Sequence, residues 1–146
     1  DSIARSDYQT IRIGYSSIST TNNRLLDTHL ENGASLDSYA YTGTGSGTVD
    51  FRVGWSLHLD TGAYAAVTIR NAADNSIVFT GTADANGDLE VVDANGYPIL
   101  LQYMRQWVSG TLTTTNYSYN IESVYSGVTR SLNGVIVDEL DETRSL

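Results

Sequence analysis

SIVFTGTADANGDLEVVDANGYPILLQYM, running from Ser76 to Met104, carries three short apolar runs, Ile77–Phe79, Leu89–Val92 and Ile99–Met104. Two polar segments separate them, Asp84-Ala85-Asn86-Gly87-Asp88 and Asp93-Ala94-Asn95-Gly96. Asn-Gly is the strongest short-range hairpin signal, because both residues accept the positive φ of a primed two-residue turn. The stretch therefore predicts an antiparallel meander, and the flanking sequence extends the same pattern. From Thr48 to Leu59, Val49, Phe51, Val53, Trp55, Leu57 and Leu59 alternate with Thr48, Asp50, Arg52, Gly54, Ser56 and His58. That alternation predicts one long strand with an apolar face and a solvated face.

Further strands are expected at Tyr8–Ser19, with Ile11, Ile13 and Tyr15 on one side, and at Leu36–Tyr41, Tyr64–Arg70 and Tyr117–Tyr125. A last small hairpin is expected around Asn133-Gly134. The run Thr42-Gly43-Thr44-Gly45-Ser46-Gly47 reads as a loop. It lacks the Lys-Ser/Thr and following helix that a phosphate cradle needs. No helical period extends over eleven or more residues. The pattern predicts an all-β chain, a single antiparallel β-sandwich or jelly roll, forming one domain over residues 1–146. Residues 1–19 are expected to act as an edge or donor-strand arm. The acidic tail, 138–146, is expected either to close as a helical turn or to trail as an arm.

Seventeen Asp and Glu face eight basic residues, all arginine, for a formal charge of -9. A nucleic-acid groove needs concentrated positive charge, so nucleic acid is not an expected partner. No apolar run reaches the roughly 18–20 residues of a membrane-spanning helix, and membrane insertion is not expected. The absence of cysteine rules out disulfides, thiolate metal sites and cysteine nucleophiles. A cysteine-free β protein without lysine fits a secreted, cell-surface or particle-surface setting.

Three constellations suggest chemistry. Asp84, Asn86, Asp88 and Glu90 place oxygen ligands at alternate positions, as a calcium loop does. The helix–loop–helix signature would want its glycine two residues beyond Gly87 and an acid where Asn95 stands. The alternative is a turn whose Asp side chains accept backbone N–H groups. Asp60-Thr61-Gly62 resembles the aspartic-protease signature, which requires a second carboxylate that here only a homodimer would supply. The third is the set of ten tyrosines and two tryptophans. Tyr39, Tyr41, Trp107, Tyr117, Tyr119 and Tyr125 are the candidates for stacking against a sugar, since each pairs a flat ring with a polar tip. The alternative is that these rings pack in the core or across strands.

Asp37-Ser38-Tyr39-Ala40-Tyr41, Gly62-Ala63-Tyr64-Ala65-Ala66-Val67-Thr68-Ile69, Asp93-Ala94-Asn95-Gly96 and Tyr117-Ser118-Tyr119 together resemble the bacterial pre-peptidase C-terminal type of β-sandwich. The resemblance implies a secreted, non-catalytic appendage, in some members binding calcium or a polymeric substrate. The chain departs from that pattern by carrying a strand region before Leu36 and by lacking a Gly-Thr-Tyr before the late strand. The expected function is that of a non-catalytic structural protein, a homo-oligomer or polymer joined through edge strands or a terminal arm. A carbohydrate-binding module using surface tyrosines is the second expectation, and a homodimeric Asp-Thr-Gly protease the third.

Overall fold

A computed structural model describes residues 11–13, 19–30, 34–41, 47–139 and 142–146. The described strands are β1 (Ile11–Ile13), β2 (Thr20–Leu26), β3 (Tyr39–Tyr41), β4 (Thr48–Gly54), β5 (Leu57–Asp60), β6 (Ala66–Asn71) and β7 (Ile77–Thr82). They continue with β8 (Asp88–Glu90), β9 (Leu101–Val108), β10 (Thr111–Asn116), β11 (Tyr119–Tyr125), β12 (Val128–Val135) and β13 (Glu142–Ser145). The fold is all-β. Two sheets have four strands, in the orders β10-β9-β4-β2 and β12-β11-β6-β7; a third runs β13-β5-β8, and β1 pairs with β3. The β1–β3, β2–β4 and β13–β5 pairings are parallel, so the expected wholly antiparallel arrangement is corrected to several antiparallel and mixed sheets.

Turns form at both Asp-Ala-Asn-Gly segments, but the two-residue primed hairpins lie elsewhere. Both two-residue hairpins use Ser-Gly: Ser109-Gly110 joins β9 to β10 and Ser126-Gly127 joins β11 to β12. All four residues have positive φ, between 48° and 82°, as a primed turn requires. At Asp84–Asp88 and Asp93–Tyr97 only Gly87 and Gly96 reach positive φ, at 95° and 80°, and the asparagines do not. The leading Asp organises each turn. Asp84 Oδ1 accepts the Asn86 and Asp88 N–H groups at 2.7 and 3.0 Å, and Asp93 Oδ1 accepts those of Asn95 and Tyr97 at 2.8 and 3.0 Å. Asn133-Gly134 is not a turn at all. It is a bulge inside β12, where Leu132 faces Ile121 and Val135 faces Tyr119.

The expected meander is also corrected. β7 pairs with β6, β8 with β5, and β9 with β4 and β10, so the three apolar runs enter three different sheets. The predicted long strand divides at Trp55-Ser56 into β4 and β5, which belong to different sheets. Gly54 makes the crossing possible, since a Cβ there would stand 2.6 Å from the Leu100 carbonyl oxygen. Asp27 fixes it from outside: its carboxylate accepts the Ser56 N–H at 2.6 Å and the Ser56 hydroxyl at 2.5 Å. The face of β4 expected to be solvated is partly covered. Asp50 is buried, accepts the Asn22 N–H from a bulge in β2 at 2.7 Å, and pairs with Arg52 at 3.3 Å.

One apolar core joins the two four-stranded sheets and β5. Phe51, Val53, Tyr103 and Trp107 come from one sheet and Val67, Ile69, Tyr119 and Ile121 from the other, with Leu57 and Leu59 contributed by β5. The acidic tail corrects both expectations for it, because Glu142–Ser145 is a strand laid parallel to β5. Glu142 is buried there, accepting the Asp138 N–H and paired with Arg144. Of the expected N-terminal arm, Ile11–Ile13 pairs with β3, and residues 1–10 and 14–18 lie outside the described residues.

Candidate functional site

Arg105 stands at an inward position of β9, opposite Phe51 of β4. A charge on that face must be compensated, and its guanidinium lies 4.2 Å from the Tyr39 ring centroid, 4.6 Å from that of Tyr103 and 5.7 Å from that of Phe51. It also donates to the Leu36 carbonyl at 3.0 Å and to Asp37 at 2.7 Å. Trp107, two residues on, is stacked by Tyr41 at 5.2 Å and met edge-on by Tyr39 at 5.7 Å. β3 is thereby held against the inner face of the sheet. Three of the predicted sugar-stacking residues, Tyr39, Tyr41 and Trp107, are brought together, but Trp107 is only 4% exposed.

The other three are dispersed. Tyr119 is 3% exposed, and its hydroxyl accepts the Leu101 N–H at 2.8 Å and donates to the Leu101 carbonyl at 3.1 Å, linking the two four-stranded sheets. Burial pushes its phenol up to about 12. Tyr117 is half-buried, with its N–H donated to the Gln102 carbonyl. Tyr125, 49% exposed, lays its ring directly over Gly62, where a Cβ would meet it at 2.5 Å.

Beside the Arg105 cluster a polar hollow of about 470 Å³ opens, lined by Leu30, by Ser35, Leu36 and Asp37, by parts of β9 and β10, and by Asp138. Trp55 Nε1 donates to Gln102 Oε1 at 3.2 Å, and both residues line it. The Tyr103 hydroxyl has no hydrogen-bond partner among the described residues, although Tyr103 is only 8% exposed. Burial pushes the Tyr103 phenol up, so it is protonated in neutral solution. A second cleft, about 540 Å³, lies where Asp60-Thr61-Gly62 meets Tyr125, Arg130 and Leu146. In that cleft Asp60 is exposed, and the Thr61 hydroxyl is bonded to the buried Ser123 hydroxyl at 2.6 Å.

In the suggested calcium loop, Asp84 turns one carboxylate oxygen to its own backbone, while Asp88 and Glu90 lie on β8 opposite Asp60 and His58. Among the described residues, no group of three or more His, Asp or Glu is placed to hold a metal ion. Backbone N–H donors hold Asp84 and Asp93 below the ordinary carboxylate range: Asp88 then Asn86 for the first, Tyr97 then Asn95 for the second. A carboxylate with a depressed native pKa favours the fold above the unfolded-state value and loses that contribution as pH falls through the native one. Acid unfolding between those values should therefore flatten in the Asp84→Asn, Asp93→Asn double variant. Comparing the urea midpoints of both proteins over that acid range checks it; parallel curves would count against it.

The sequence did not single out Tyr103, Arg105, Gln102 or Trp55 as a group. The available signal was the lone arginine at an inward position of an otherwise apolar alternation. Comparison with protein-family models, curated proteins and solved structures finds no match. The geometry therefore carries the functional reading.

Proposed function

We propose that this chain is a non-catalytic structural protein of an extracellular or particle surface, a β-sandwich whose copies join by strand addition at β10. The observation that carries the reading is the character of that edge. All six residues of β10, Thr111-Leu112-Thr113-Thr114-Thr115-Asn116, are exposed, and none is charged. The ladder to β9 runs without a register shift. An edge of this kind offers a row of unpaired backbone groups to another strand.

The longer remaining edges are blunted, as monomeric sheet proteins blunt theirs. β2 and β12 carry bulges together with Arg24 and Arg130, and β7 is bulged near Val78. β8 and β13 carry Asp88, Glu90, Glu142 and Arg144. With -9 of formal charge on the chain, copies repel over most approaches, and a neutral threonine edge is where they meet at least cost.

Thr113→Lys places a charge at the middle of this edge, on an exposed side chain. Sedimentation and light scattering should find the unmodified chain in concentration-dependent oligomers and the variant monomeric, with the same circular dichroism. A chain that is monomeric at every concentration, or a variant that assembles equally well, would sink the reading.

A further inference from the structure

We propose that the strand added at β10 is the β10 of a second copy, antiparallel and with Thr114 on the twofold axis, so that assembly through this edge closes at a dimer. The inference rests on strand addition at β10 and names its partner segment. Ser109-Gly110 is a two-residue turn, which makes Val108 and Thr111 a hydrogen-bonded pair. The same parity reaches Tyr117, whose N–H donates to the Gln102 carbonyl at 2.9 Å. Thr111, Thr113 and Thr115 therefore direct their N–H and C=O groups to β9, and Leu112, Thr114 and Asn116 direct theirs to the open side. β10 ends its sheet, so no described strand meets those groups.

That parity leaves few registers. Hydrogen-bonded pairs across the edge use only Leu112, Thr114 and Asn116, which restricts a twofold pairing within the strand to an axis at Thr113, Thr114 or Thr115. With Thr114 on the axis, it meets the partner's Thr114, while Leu112 and Asn116 meet the partner's Asn116 and the partner's Leu112. All three residues are then paired, with two bonds in each pair, whereas either neighbouring register leaves one of them unpaired. The outward Thr113 stands opposite the partner's Thr115, so threonine faces threonine through the centre of the contact and no charge is buried. An axis normal to the sheet also keeps Leu112 and Thr114, which lie opposite Trp107 and Arg105, on the core-facing side in both copies. A donor from another of the longer edges would instead bring a bulge or a charge to β10. Each copy has one β10, so the pairing leaves none open. A contact of one strand pair belongs to the small, transient class, below roughly 1,200 Å², and the dimer should dissociate on dilution.

The chain has no cysteine, so single cysteines report the register. With Thr114 on the axis, position 113 lies about 4.5 Å from position 115 of the partner between Cα atoms, within reach of a disulfide. The two copies of position 113, or of 115, are diagonal neighbours at about 7–8 Å, which is out of reach. Thr113→Cys and Thr115→Cys proteins, mixed in equal amounts at high concentration under mild oxidation, should therefore crosslink in up to about half of the dimers, the statistical share of mixed pairs. Either variant alone should stay uncrosslinked over the same time. Sedimentation of the unmodified chain should show monomer and dimer with nothing larger. Species larger than a dimer that Thr113→Lys disperses, or a mixture that crosslinks no faster than either variant alone, would overturn the twofold pairing and leave strand addition at β10 standing. A chain that is monomeric at every concentration would overturn both.

Discussion

Gly87→Ala should destabilise the protein by about 3–5 kcal/mol, whereas Gly96→Ala, in the same Asp-Ala-Asn-Gly sequence, should cost only about 1–2 kcal/mol. Both glycines have positive φ, so both variants carry the penalty of an alanine in the left-handed region. Only Gly87 adds a collision. A Cβ there would press into the Thr61 carbonyl oxygen, while one at Gly96 meets none of the described residues within 4 Å. The segment it would displace is well anchored: the Thr61 N–H donates to the Gly87 carbonyl at 2.9 Å, and the Thr61 hydroxyl is bonded to Ser123. Relaxation would therefore break bonds on both sides of the contact. Urea unfolding of the two variants gives the comparison directly, and equal losses would mean that the approach of Gly87 to Thr61 has no energetic weight.

Arg105→Ala should cost about 2–4 kcal/mol, because it removes a desolvated cation from three aromatic faces and leaves the Leu36 carbonyl without its donor. Arg105→Lys should recover little, since an ammonium can neither stack on Tyr39 nor reach two acceptors in one plane. Asp37→Ala should cost under about 1 kcal/mol, because its side chain is largely exposed and its bond to Arg105 is screened by water. Hydrogen exchange adds a local reading. In the Arg105 variants β3 should exchange fastest, while the β6–β11 ladder keeps its protection. A lysine variant as stable as the unmodified chain would show that charge alone, without planar stacking, holds β3 in place.

The class of fold was legible because alternation reports burial residue by residue. Phe51, Val53, Leu57, Leu59, Val67 and Ile69 all lie in the core that their spacing predicted. Connectivity was not legible, because nothing local marks a strand that changes sheet. The break at Trp55-Ser56 depends on the Leu100 carbonyl and on Asp27, both far away in sequence. The turns misled for a related reason. Positive φ was expected of both residues of each Asn-Gly pair, whereas the Asp84 and Asp93 side chains accept backbone N–H groups, as the alternative reading of the Asp84 turn had it, and only the glycines are left-handed. The aromatic set found Tyr39, Tyr41 and Trp107, but residue type alone cannot distinguish an exposed ring from a buried one. The hollow escaped notice because its walls come from widely separated parts of the chain, Leu30 to Asp37 near one end and Asp138 near the other, with Trp55, Gln102 and Asn116 between.

The parallel pairing of β13 with β5 has a kinetic consequence. The hairpins β9–β10 and β11–β12 join neighbours through two-residue loops and can close within microseconds. β13 must instead find a strand roughly 85 residues earlier, a contact that becomes favourable only after the intervening chain has condensed. During synthesis β5 therefore waits with one edge open until Glu142–Ser145 has left the ribosome. Until then the backbone groups along that edge of Leu57–Asp60 are unpaired, and an unpaired edge in a nascent chain is open to wrong strand partners.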